Sequence, residues 1–118
     1  MTYNKRQVGT EKEKLAGAYL EKNGYEIIEY NFRCRQGEID IIAKDGEYIV
    51  FCEVKYRSGT KSGTPFDAVD YKKQMKISRC ALFYITKQKL ADIPCRFDVV
   101  SVTDSEIKVL KNAFDYVG

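Results

Sequence analysis

The stretch GEIDIIAKDGEYIVFCEVKYR, Gly37 to Arg57, sets Glu38, Asp40, Glu53 and Lys55 among two apolar, β-branched runs joined by Lys44-Asp45-Gly46-Glu47. β-branched and aromatic residues suit the pleated surface of a strand, and Asp-Gly between two such runs is a strong hairpin signal. With Asp45 and Gly46 as the central turn residues, Glu38 faces Glu53 and Asp40 faces Phe51. One face then carries Glu38, Asp40, Ile42, Ile49, Phe51, Glu53 and Lys55, and the other carries Ile39, Ile41, Ala43, Tyr48, Val50, Cys52 and Val54. All four charged residues share a face, and Asp40 and Glu53 become diagonal neighbours with Cα atoms roughly 7–8 Å apart.

Carboxylates at that range repel and raise one another's pKa unless positive charge lies between them. Oxygen ligands without histidine or thiolate suit Mg²⁺ or Mn²⁺. Lys55, two residues beyond Glu53, is placed to orient or deprotonate an attacking water and to stabilise charge on phosphorus. Taken together, these residues read as a metal-dependent phosphodiester hydrolase. Two alternatives stay open from the residues alone. The strand ends simply reach solvent with Lys55 neutralising Glu53, or a loop one residue longer sends Glu53 and Lys55 to the face opposite Asp40.

Working outward, GTEKEKLAGAYLEKN, Gly9 to Asn23, has Leu15, Ala16, Tyr19 and Leu20 at helical spacing. Thr10 and Glu13 have capping-box spacing, and Gly24 is the stop. YEIIEYNFRC predicts a strand over Tyr25 to Phe32, and RSGTKSGTP, Arg57 to Pro65, predicts a loop. FDAVDYKKQMKISRCALFYITKQ predicts a second helix through Val69, Ile77, Cys80 and Ala81, with Lys72, Lys73, Lys76 and Arg79 crowding its early turns. CRFDVVSVT, Cys95 to Thr103, predicts a strand, and EIKVLKNAF a short last one. The expected fold class is α/β, with an α-β-β-β-α-β order. At 118 residues the chain is expected to form one domain, its core spanning about 4–103 and its tail 104–118.

The chain contains no histidine, which excludes Ser-His-Asp and Cys-His hydrolases and histidine-ligated zinc chemistry. Cys34, Cys52, Cys80 and Cys95 form no C-x-x-C pair and read as reduced thiols. The opening MTYNKRQVGTEKEK has no signal-peptide apolar core and no run is long enough for a membrane span, so no membrane partner and a cytoplasmic location are expected. Net charge is +3, yet residues 38–53 carry one basic and five acidic side chains, and residues 54–89 carry nine basic and two acidic. An acidic cluster followed by a basic segment suits a cation site beside a polyanion surface, with a solvated basic helix face as the bland alternative.

The segments NKRQVG, EKLAGAYLEKNGYEII, NFRCRQGEIDIIAKDG, VFCEVKYR, AVDYKKQMKI and CRFDVV, from about Asn4 to Val100, resemble the bacterial YraN-like family. That family is placed in the PD-(D/E)XK nuclease superfamily, near archaeal Holliday-junction resolvases. The resemblance implies a restriction-endonuclease-like αβββαβ core with a mixed central sheet flanked by helices. It implies a Mg²⁺- or Mn²⁺-dependent endonuclease acting on DNA, including branched or structured DNA, through metal-activated water. By resemblance Asp40 is the motif aspartate, Glu53 the second acid, Lys55 the motif lysine and Glu13 a further metal-side acid. Glu38 and Gln74 are expected to support the site from behind. Arg57, Lys61, Lys72, Lys73, Lys76 and Arg79 are expected as nucleic-acid contacts. Resolvase relatives act as homodimers, so a homodimer is within expectation. Where family members carry Gly-Glu, this chain has Lys12-Glu13. The alternatives are a catalytically silent nucleic-acid-binding module of the same fold, and an interaction subunit of a DNA-processing complex.

Overall fold

The computed structural model describes residues 5–57 and 69–117. The elements run α1 (Lys5–Lys22), β1 (Glu26–Cys34), β2 (Gly37–Asp45), β3 (Tyr48–Arg57), α2 (Tyr71–Gln88), β4 (Cys95–Thr103) and β5 (Ile107–Phe114). The five strands form one sheet in sequential order, antiparallel except for the parallel pair β3 and β4, which α2 connects. This mixed α/β architecture has the expected αβββαβ order, is compatible with a restriction-endonuclease-like core, and adds β5.

Each helix covers one sheet face. Ala16 and Leu20 of α1 pack on Ile41, Ala43, Val50, Cys52, Val100 and Val102. Ile77, Cys80, Ala81 and Tyr84 of α2 pack on Phe32, Ile39, Ile42, Phe51 and Phe97. Phe51, Ile41 and Ile42 are essentially inaccessible, and full burial of such a side chain stabilises the fold by about 1.5–3 kcal/mol.

Helix α1 begins before Gly9, so Thr10 and Glu13 lie in its interior rather than at its start. Its end follows the expectation. Gly24 has φ 92°, its N–H bonds to the Glu21 carbonyl, and Tyr25 N–H reaches back to Leu20. This Schellman turn needs a left-handed residue, which glycine adopts without a Cβ penalty. Tyr25 lies just before β1, which extends to Cys34.

The hairpin turn is displaced by one residue. Asp45 pairs with Tyr48, leaving Gly46 and Glu47 as the turn residues, with Gly46 at φ 62°. The direct partners are therefore Ile41 with Cys52 and Ile42 with Phe51. The pairing moves by two residues from the expected one, so Ile42 and Phe51 still share a face, as do Ala43 and Val50.

Within β2 the expected alternation fails beyond Ile41. Ile41 packs under α1 as parity requires, but Ile39 crosses to the α2 side beside Phe32. On β1, Tyr30 packs with the α1 cluster and Phe32 with the α2 cluster. Between Tyr30 and Phe32 lies Asn31, at φ 54°. Asparagine tolerates this left-handed conformation better than most residues, and here it turns the β1 and β2 ribbon over between the pairs Tyr30 with Ile41 and Phe32 with Ile39.

Candidate metal and phosphate site at the sheet fork

The inversion lies where the sheet opens. The β2 and β3 ladder ends at Ile41 with Cys52. Beyond it, Phe32 to Cys34 of β1 keep Ile39 to Gly37 of β2, whereas Glu53 to Arg57 of β3 continue with Val99 to Thr103 of β4. Asp40 and Glu53 are the first residues past the last rung. Asp40 turns its carboxylate into the gap, and Oδ2 accepts the Val54 N–H at 2.8 Å. A side chain thus replaces a backbone partner that the diverging strand can no longer supply.

Both helices direct the N-terminal end of their buried stripe to this fork. On α1, Glu13 precedes Ala16, Gly17 and Leu20 at helical spacing. On α2, Lys73 precedes Ile77, Cys80 and Tyr84 in the same way. Asp70 caps α2, its Oδ1 accepting the Lys73 N–H at 2.8 Å, so Lys73 lies in a defined first turn.

Glu53 is only 5% exposed, and two lysines meet its Oε2: Lys73 at 3.1 Å and Lys55 at 3.4 Å. Burial acts to lower the Lys73 pKa, but the Glu53 charge and hydrogen bond outweigh it, and the net shift is upward. Burial, and then the Glu53 charge, push the Asp40 carboxyl up to about 9. Burial also raises Glu13, although its hydrogen-bond neighbours Asn31 and Asp40 act to lower it. Oε1 of Glu13 is buried with no hydrogen-bond partner among the described residues.

The other expected site residues fall in several places. Glu38 lies at the rim, paired with Arg33 at 2.8 Å, both half exposed. Its charge bears on Glu13 and Lys73, both at the fork. Gln74 donates to the Val69 carbonyl at 3.0 Å, at the start of α2. Lys72 and Lys76 are exposed on α2, and Lys76 passes close to Gly37 at the start of β2. Arg79 lines a groove with Gln36, Leu82, Phe83 and Thr86. Arg57 closes β3 opposite Thr103. Lys61 lies outside the described residues. Lys12 places its ammonium 4.2 Å from the centre of the Tyr56 ring, a cation–π contact between α1 and β3.

Two contributions were not evident from local motifs. Asn31 is marked in the sequence only as an asparagine inside an aromatic strand, and its role comes from its φ. Lys73 was legible as one of four basic residues, but its pairing with Glu53 shows only where α2 docks. A spacing argument marks both Lys73 and Glu13, since each extends its helix's apolar stripe by one turn.

Chemically, the fork holds three carboxylates and two ammonium groups on elements of both layers. Hard oxygen donors, one of them orphaned and two raised in pKa by burial, fit a small divalent cation. Among the described residues no three acidic or thiol side chains are drawn around one point, and the lysines at Glu53 supply its positive charge.

The model of the Uncharacterised protein family UPF0102 matches residues 12–102, which include Glu13, Asp40, Glu53, Lys55 and Lys73. The chain is 46% identical over 116 residues to a UPF0102 protein of Lachnoclostridium phytofermentans, covering 98% of each chain. It is 50% identical over 119 residues to one from Syntrophus aciditrophicus, covering 98% of this chain and 93% of the relative. A relative from Thermodesulfovibrio yellowstonii is 50% identical over 108 residues, covering 92% and 96%. The match over most of its length shows that the chain belongs to the UPF0102 family, the YraN-like group its GEID and EVK segments resemble.

Proposed function

We propose that this protein is a PD-(D/E)XK-type endonuclease that hydrolyses phosphodiester bonds in DNA, branched or structured DNA included, with Mg²⁺ or Mn²⁺. The observation that carries this reading is the fork itself. Asp40 and Glu53 enter one gap from strands that have just separated, Glu13 brings an unpartnered buried oxygen, and Lys55 stands two residues from Glu53. Glu13, Asp40 and Glu53 would hold the cation. When bound, it supplies charge stabilisation for the phosphate and acidifies a water molecule.

The side chains have separable tasks. Asp40 must give up the proton that burial makes it keep, and its Val54 hydrogen bond then fixes the carboxylate. Lys55 holds positive charge beside Glu53, where it can orient water and stabilise charge developing on phosphate oxygens. Lys73 provides a second ammonium from α2, and exposed Lys72 and Lys76 continue that charge along the helix as backbone contacts.

A second reading is favoured by the two ion pairs at Glu53. With that carboxylate already neutralised by Lys55 and Lys73, the same fold would serve as a nucleic-acid-binding module without turnover. The experiment is cleavage and gel shift on labelled four-way junction, duplex and single-stranded DNA in Mg²⁺, Mn²⁺ or EDTA, with Asp40→Asn and Glu53→Gln alongside. The nuclease reading expects metal-dependent cutting that falls at least 10²-fold in either variant while both stay folded. Equal cutting by wild type and variants would sink it. Salt-sensitive binding without cutting in any metal would move the conclusion to the binding module.

A further inference from the structure

Away from the carboxylates, two cysteines from different elements converge. Cys34 ends β1 beside the Arg35-Gln36 turn, and Cys80 lies on the buried stripe of α2. Their thiols are hydrogen-bonded with the sulfurs 3.0 Å apart, about 1 Å beyond the S–S bond length of about 2.04 Å. The two sites differ in access: Cys80 is fully inaccessible, whereas Cys34 is partly exposed and lies 3.1 Å from Gln36 Oε1. The remaining cysteines have other surroundings. Cys52 is enclosed in the α1 cluster, and Cys95 donates to the Ile93 carbonyl at 3.5 Å.

We propose that Cys34 and Cys80 form a modification site, a reversible disulfide made by reaction with hydroperoxide. Cys34 is the sulfur that solvent reaches. Its thiolate attacks one peroxide oxygen, the O–O bond breaks, Cys34 becomes a sulfenic acid, and the other oxygen leaves as water. Cys80 sulfur then displaces the sulfenic oxygen, which leaves as a second water with the Cys80 proton. The two thiols are oxidised by two electrons and hydrogen peroxide is reduced to two waters. A dithiol reductant reverses the bond by exchange. Burial and the Cys34 neighbour push the Cys80 thiol up to about 12, which suits the order of events, with Cys80 resolving rather than attacking first.

The bond would tie the fork end of the β1 and β2 hairpin to α2, two turns beyond Lys73. It closes a loop of about 45 residues, long enough for the cross-link to restrict the unfolded chain substantially. This inference does not depend on the nuclease reading.

The test is peroxide treatment of the full chain, followed by peptide mass mapping and thermal unfolding with and without dithiothreitol, beside Cys34→Ser. The expected result is one cross-linked peptide joining Cys34 and Cys80, lighter by two hydrogens, with a melting midpoint several degrees higher. Reductant reverses both changes, and Cys34→Ser shows neither. The proposal is overturned if both thiols stay free in excess peroxide, if Cys34 goes on to sulfinic acid with Cys80 untouched, or if Cys95 is the partner. An equal midpoint shift in Cys34→Ser also overturns it.

Discussion

At the scale of single residues, the fork concentrates charge that burial would ordinarily expel. Asp40 keeps its proton because its surroundings and the Glu53 charge both penalise the anion. Its folded pKa lies above the unfolded value of about 3.9, so its stabilising contribution is fully present below that pH and is lost as pH rises toward the folded value of about 9. In EDTA, stability should therefore fall with rising pH across this window, by at most about 1.4 kcal/mol per pH unit. Asp40→Asn should flatten the trend, which urea midpoints at about pH 5 and about pH 8 would measure. An unchanged slope in the variant would mean that another group carries it. At Glu53, removal of Lys73 by Lys73→Met should destabilise the metal-free protein by about 1–2 kcal/mol, because Lys55 still pairs with the carboxylate. Comparing denaturant curves with and without Mg²⁺ tests this, since a cation on Glu53 should recover much of the loss.

At the scale of elements, helix ends decide where the site's cations and acids stand. The left-handed residue at the end of α2 is Lys89, whose N–H bonds back to Ile85 and Thr86, and the start is held by Asp70. Asp70→Ala should cost about 1 kcal/mol, and in the nuclease reading it should weaken DNA binding as well, because the freed first turn carries Lys72 and Lys73. A stability loss with unchanged binding would separate the cap from the phosphate surface. The capping-box spacing of Thr10 and Glu13 was a local coincidence: α1 starts at Lys5, and Glu13 is interior, on the stripe that ends at Leu20. The strands were legible by composition, yet their faces were only partly so. Parity held from Ile41 through Cys52 and failed at Ile39, because the positive φ at Asn31 cannot be read from an alternating pattern.

At the scale of the whole molecule, a second charged assembly ties β4 to the hairpin turn, to Tyr25 before β1 and to β5. Asp98 is fully buried and accepts from Tyr25 Oη at 2.7 Å, from Arg96 Nε and Nη2 at 2.9 Å each, and from the Asn112 N–H at 2.9 Å. Arg96 also grips Asp45 beside the hairpin turn at 2.7 Å, and this pairing holds the Asp45 carboxyl below its usual range. Asp98→Ala would leave the Tyr25 hydroxyl and the Asn112 N–H without this acceptor and Arg96 with Asp45 as its remaining carboxylate, with an expected loss of about 3–5 kcal/mol measured by urea unfolding. The sequence by itself determined the order of elements, the hairpin, the apolar stripes of both helices and the acidic-to-basic change in charge. Those properties arise from neighbours a few residues apart and from the periods of helix and strand. Only the tertiary structure decided that β3 leaves β2 for β4 after Cys52, that Glu13 and Lys73 reach the gap so formed, and that Cys34 meets Cys80. Each of these depends on contacts between residues dozens of positions apart, where pairing is chosen by the burial of both sheet faces at once and no local period records the choice.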